Sequence, residues 1–110
     1  MRSAVTRALI LATALALSLP AFSASGDAEV GRKKSTPCQA CHGAEGVSVS
    51  PEFPNLAGQH PDYLLTAMRH YQNGKRKNPI MKMQVEKLTD KDLMDLAAFF
   101  SHQQGLVVKR

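Results

Sequence analysis

The chain has 110 residues, a formal charge of +5 and two cysteines. That is the length of one domain, and two thiols are too few for a four-cysteine zinc site or a disulfide framework. The basic residues lack the aromatic interleaving or groove-reading motif that nucleic-acid binding needs, so nucleic acid is not an expected partner.

Arg2 and Arg7 flank the start of an apolar run from Ala8 to Leu19, which Pro20 breaks before the small residues of Ala21-Phe22-Ser23. This pattern predicts a secretory signal peptide over residues 1–23, cleaved to leave a single domain over 24–110 outside the cytoplasm. The apolar run is shorter than the ~20 residues a membrane span takes, so no membrane anchor is expected. With the two leader arginines set aside, twelve basic residues face nine acids, about +3. A chain this short makes a marginal core by itself. Its five aromatics after the leader, Phe53, Tyr63, Tyr71, Phe99 and Phe100, suit a fold whose centre is filled by a flat cofactor.

Asp27 caps a short first helix that runs to about Lys34, with Asp27 and Glu29 at its positive end and Arg32, Lys33 and Lys34 at its negative end. Pro37 is read as its stop. Gly31, in mid-helix, costs about 1 kcal/mol relative to alanine, which points either to the close approach of a second helix or to a glycine tolerated at the surface. Next comes Cys38-Gln39-Ala40-Cys41-His42. Thiols three residues apart share one face of a helical turn, and the imidazole that follows can turn to the same ligand. Cys-x-x-Cys-His is the spacing at which two cysteines add to the vinyl groups of a haem while the histidine ligates its iron. A zinc site would need two more paired ligands, yet His60, His70 and His102 stand singly. A thioredoxin-like pair would need strands, and a plain disulfide is the remaining alternative.

His42-Gly43 and Gly46 leave the turn as a loop, and Pro51, Pro54, Asn55 and Gly58 keep Val47 to Gly58 irregular. Pro61 and Asp62 open a helix that ends at Gly74 and carries Leu64, Met68 and Tyr71 on one face. Gly74 to Lys87 reads as basic and irregular, with Lys75, Arg76, Lys77 and Lys82 around Met81 and Met83. In such an extended segment residues two apart point the same way, so either methionine is able to face a haem. Thr89 and Asp92 form a capping box for a last helix whose stripe is Leu93, Leu96, Ala97 and Phe100, widened by Met94 and Phe99 and ended by Gly105. Leu106-Val107-Val108 has no partner strand. The expected fold is all-α, with three main helices and irregular loops wrapped around one covalently bound haem.

With these residues in order, the chain resembles a class I cytochrome c of the small exported bacterial monohaem type, and single halves of the dihaem type. The resemblance covers about residues 27–103. It rests on Cys38-Gln39-Ala40-Cys41-His42-Gly43, Pro54-Asn55-Leu56-Ala57-Gly58-Gln59, Tyr63-Leu64, Gly74-Lys75-Arg76, a methionine, and Leu96-Ala97-Ala98-Phe99-Phe100. It implies one haem c held by Cys38 and Cys41, with iron between His42 and a distal methionine. Pro54 would accept the other ring proton of His42, Leu56 would pack on the haem, and Gly31 would meet Phe99 where the first and last helices cross. Met81 is favoured over Met83 because its spacing from Gly74 and Thr89 resembles the family branch that shares Gly-Lys-Arg and Pro-x-Leu-Ala-Gly. The basic end of the first helix departs from the family's small or apolar residues, so looser packing is expected there.

The function implied is periplasmic electron transport in a respiratory chain, without enzymatic activity. The chain would act as a monomer between an exported or membrane reductase and an oxidase, docking through the basic residues near the methionines. The rival functions are a haem enzyme or gas sensor with a displaceable distal ligand, and a subunit of a larger redox complex.

Overall fold

A helix begins where a side chain can take up its first free backbone N–H groups, and three of the helices here begin that way. Asp27 Oδ1 accepts from the N–H of Glu29 and Val30 at 2.9 and 3.1 Å. Asn78 Oδ1 accepts from Ile80 and Met81 at 3.0 and 3.1 Å. Thr89 and Asp92 cap each other reciprocally at 3.1 and 2.9 Å. The computed structural model describes residue 14 and residues 25–105. Apart from that one residue, the expected signal peptide lies outside the described residues, as does the Leu106-Val107-Val108 tail. Among the described residues all regular structure is helical: α1 (Ala28–Lys34), α2 (Thr36–His42), α3 (Pro61–Asn73), α4 (Pro79–Val85) and α5 (Asp90–Ser101).

The three helices expected from the sequence are α1, α3 and α5; α2 and α4 are additional. Pro37 does not stop α1, which ends at Lys34. It sits in the first turn of α2, where its missing N–H costs no hydrogen bond. Fully buried Ser35 makes the joint, donating to the Arg32 carbonyl at 2.7 Å and accepting from Gln39 Nε2 at 2.9 Å. The stretch 74–87 is likewise not irregular throughout, because Asn78 caps and Pro79 opens α4. Gly74, at φ 82°, ends α3 as expected. No described helix is long and apolar enough to cross a membrane.

Leu93, Leu96, Ala97, Ala98, Phe99 and Phe100 of α5 are all buried, so α5 is the spine against which α1 and α3 pack. At the α1–α5 crossing, a Cβ on Gly31 would overlap the Asp95 carbonyl and come within 2.9 Å of Phe99 Cβ. That is the close approach the mid-helix glycine pointed to. The irregular segment after α2 is held by its backbone. The N–H groups of Leu56 and Ala57 both donate to the Gly46 carbonyl at 2.7 and 3.1 Å, and Gly58 N–H donates to that of Phe100 at 3.0 Å. From α3, Gln72 Nε2 donates to the carbonyls of Val85 and Leu88 at 2.8 and 2.9 Å. The first bond takes up a carbonyl at the free end of α4, the second holds the segment that follows it, and together they fix both against α3.

The basic end of α1 does not loosen the packing. Lys34 Nζ reaches Asp92 Oδ1 at 2.6 Å and Asp95 Oδ2 at 2.8 Å, so the charge that departs from the family pattern ties α1 to α5. Asp95 is fully buried and also accepts from the Asp27 N–H at 2.8 Å and from Lys91 at 3.0 Å. Burial pushes its carboxyl up, but the Asp27 N–H and the Lys34 and Lys91 ammonium groups outweigh this and hold it at about 2. Lys34 and the Thr89 N–H and hydroxyl hold Asp92 at about 2 as well. Both values lie below the ordinary ~3.9 of an unfolded Asp, so the stabilisation is complete above about pH 4 and is lost as pH falls toward 2. Thermal midpoints of the parent protein should therefore drop across that window, and Asp95→Asn should be less stable at pH 6 with a shallower acid drop. An unchanged slope in the variant would contradict this account.

Candidate haem site

The α2 turn puts Cys38, Cys41 and His42 on one side of a short helix, and that side lines a cavity of about 520 Å³. This is a volume typical of ligand and cofactor sites. The opposite walls come from α3 (Leu64, Ala67, Met68, Tyr71), α4 (Ile80, Met81, Gln84, Val85) and α5 (Leu96, Ala97, Phe100), and most of the lining side chains are apolar. The stripe Leu64, Met68 and Tyr71 thus serves as core and cavity wall at once.

Both cysteines are free and half-buried, so the disulfide alternative is not the state observed. Burial raises the Cys38 thiol above its ordinary range, which keeps it protonated at neutral pH. His42 is buried, and its Nδ1 lies 2.8 Å from the Pro54 carbonyl oxygen. A carbonyl only accepts, so Nδ1 carries the proton and Nε2 keeps its lone pair for a ligand. Phe53, in the sequence no more than one of five aromatics, stands edge-on to the His42 ring at a centroid distance of 6.5 Å. Leu56 is half-buried against the core and lines the cavity.

The two methionines separate clearly. Met81 is half-buried and lines the cavity, while Met83 is 67% exposed. The expectation that both could point the same way assumed an extended segment. In a helix, side chains two residues apart diverge by about 200°. Of the basic cluster, Lys75, Arg76, Lys77 and Lys82 are all exposed, and Arg76 also contributes to the cavity lining.

A flat iron–porphyrin group fits this donor set: two thiols for covalent attachment, one imidazole nitrogen with a free lone pair, a thioether on another wall, and apolar sides. Among the described residues no group of three or more His, Cys, Asp or Glu side chains is gathered for a metal ion, which disfavours the zinc alternative.

Residues 26–100 match the family model described as cytochrome c oxidase, cbb3-type, subunit III. Cytochrome c4 of Pseudomonas aeruginosa is 43% identical over 97 residues, which is 87% of this chain and 48% of that protein. Cytochrome c-554(548) of Halomonas halodenitrificans is 39% identical over 83 residues, 73% of this chain and 100% of the relative. The crystal structure of reduced recombinant cytochrome c4 from Pseudomonas stutzeri superposes with a TM-score of 0.71 at 42% identity, over 76% of this chain and 48% of that one. The chain thus spans about half the length of the cytochrome c4 relatives and the whole of the smaller one. With the fold, the cavity and these matches in agreement, the chain belongs to the class I cytochromes c, in the family of cbb3-type cytochrome c oxidase subunit III, whose members imply a covalently bound haem c with iron.

Proposed function

We propose that the chain is a one-electron carrier of the periplasm, with a single haem c bound through Cys38 and Cys41 and its iron between His42 and Met81. The observation that carries this reading is the meeting of two thiols, an imidazole with a free Nε2 and a thioether on one mostly apolar cavity. When bound, the haem supplies an iron that alternates between ferrous and ferric states. Pro54 holds the His42 tautomer through the Nδ1 proton. Leu56, Leu64 and Phe100 exclude water from the cavity walls. Met81 would offer the iron a soft thioether, which would favour the ferrous state and leave no open position for oxygen or peroxide. Exposed Met83 is the weaker candidate for that position.

The partners are an exported or membrane reductase and an oxidase. Exposed Lys75, Lys77 and Lys82 around 55% exposed Ile80 form a basic rim with an apolar centre, suited to an acidic redox protein. The rate of electron exchange with such a partner should fall as salt rises, and Lys75→Gln with Lys77→Gln should flatten that dependence. Rates indifferent to salt would remove the docking rim. The carrier reading itself is tested with carbon monoxide at neutral pH. Little binding to the ferrous protein is expected; rapid stoichiometric binding would point instead to a haem enzyme or gas sensor.

A further inference from the structure

Met81 reaches the cavity on α4, a helix of seven residues, and few polar contacts hold that helix to the rest of the fold. Asn78 caps its start from within the same segment, which shapes the helix without attaching it to a neighbour. The attachment comes from Gln72 on α3. Both protons of its Nε2 are used, one donated to the Val85 carbonyl at 2.8 Å and the other to the Leu88 carbonyl at 2.9 Å. Among the described residues no other hydrogen bond or ion pair joins residues 78–88 to another helix. Val85 is buried, Leu88 is half-buried, and both line the cavity. Val85 follows Met81 by about one helical turn, so a hold on the Val85 carbonyl is a hold on the turn that carries the thioether. An α4 released from Gln72 takes Met81 with it, whereas Cys38, Cys41 and His42 stay in place on α2.

We infer that Gln72 is a positioning residue for Met81: its amide staples the end of α4 and the entrance to α5 onto α3, and so keeps the thioether in the cavity and the second axial position of the iron closed. This rests on the proposed function and deepens it. A thioether is a neutral, soft donor, and an external ligand competes for its place whenever α4 swings out. The share of molecules open to that competition is set by the docking equilibrium of α4, to which Gln72 supplies the directional contacts. An amide suits the task because it donates twice and carries no charge that salt could screen or protons could remove. Gln72 thus orients an iron ligand it does not itself touch, as outer partners do in metal sites generally.

The test is the rate of carbon monoxide binding to the ferrous haem-loaded protein, together with the iron-to-sulfur band of the oxidised form, in Gln72→Met, Gln72→Lys and Gln103→Met. The last is the control, because Gln103 Nε2 also donates to a backbone carbonyl, that of Phe99 at 3.0 Å, but makes no bond to α4. Gln72→Met keeps the size of the side chain and loses its donors. It should bind carbon monoxide roughly tenfold faster than the parent or more, as the loss of two ordinary hydrogen bonds implies, and show a weaker band. Gln72→Lys, which keeps donors at similar reach, should fall between, and Gln103→Met should match the parent. Equal rates and bands in Gln72→Met and Gln103→Met would overturn the assignment. Should Gln72→Met not accumulate, Met81→Leu decides, because coupling between two contacts is reciprocal. The Gln72 side-chain amide protons should exchange with solvent faster in Met81→Leu than in the parent, with those of Gln103 unchanged, and unaltered Gln72 exchange would refute the coupling. A parent that lacks the band and takes up carbon monoxide rapidly would instead refute the Met81 ligation on which the inference rests, a failure distinct from either of these.

Discussion

Replacing Cys38 and Cys41 together by alanine should abolish haem that survives denaturing electrophoresis and leave a chain with little helical signal. The second effect follows from the first through the core. The fully buried apolar residues lie mainly on α5, and the other side of that core is the cavity wall, where Leu56, Met68, Tyr71 and Met81 are only half-buried. Leaving large apolar side chains facing water costs about 1.5–3 kcal/mol each when the exposure is complete. Even half of that at four positions is comparable to the ~5 kcal/mol at the lower end of small-domain stability. Either single variant keeps one covalent link and should retain haem in part. Denaturation-resistant haem in the double variant would sink the attachment assignment.

Met81→Leu should produce the largest change in redox properties: loss of the weak iron-to-sulfur band of the oxidised protein, a lower potential, and ferrous iron open to carbon monoxide. The volume of the side chain is nearly conserved, so the cost in stability should stay below about 1.5 kcal/mol apart from the lost iron bond. Met83→Leu should keep all three properties, with stability within about 0.5 kcal/mol of the parent, because Met83 is 67% exposed. The geometry behind this contrast is α4. Asn78 caps it through two backbone N–H groups, Gln72 holds its far end, and the helical period turns Met83 away from the wall that Met81 lines. The reverse pattern in the two variants would move the ligand to Met83.

Much of this was legible because it is local. Cys-x-x-Cys-His specifies an attachment face within one helical turn, the Thr89–Asp92 box marks its helix within four residues, and Gly74 marks the end of α3. Gly31 pointed to a helix crossing because a glycine in mid-helix has a cost that a close neighbour explains, although a tolerated surface glycine reads the same in sequence. What misled was proline. Pro37 reads as the stop of α1 and the stretch around Pro79 as irregular, although each proline opens a helix, and Asn78-Pro79 is a cap followed by a first-turn proline that could have revealed α4. That error is what made Met81 and Met83 look equivalent.

Asp95 was hidden for a different reason. On α5 it reads as one more acid of a solvated face, and its burial depends on Asp27 and Lys34, which are 68 and 61 residues away. Arg76 and Lys75 were equally indistinguishable in a run of basic residues. Only the turn at Gly74 and the position of Tyr71 direct one of them to the cavity. Local spacing points to the group to be bound, whereas tertiary contacts decide which charged side chains reach the cavity and which stay on the surface.

The central claim, a covalently attached haem with histidine and methionine on its iron, is tested most directly by the visible absorption spectrum of the purified protein, oxidised and reduced, recorded before and after denaturing extraction. The account predicts sharp bands of six-coordinate low-spin iron in the reduced state, an iron-to-sulfur band present only when oxidised, and haem that stays with the chain after extraction. A colourless protein, or haem that leaves the chain on denaturation, would contradict it.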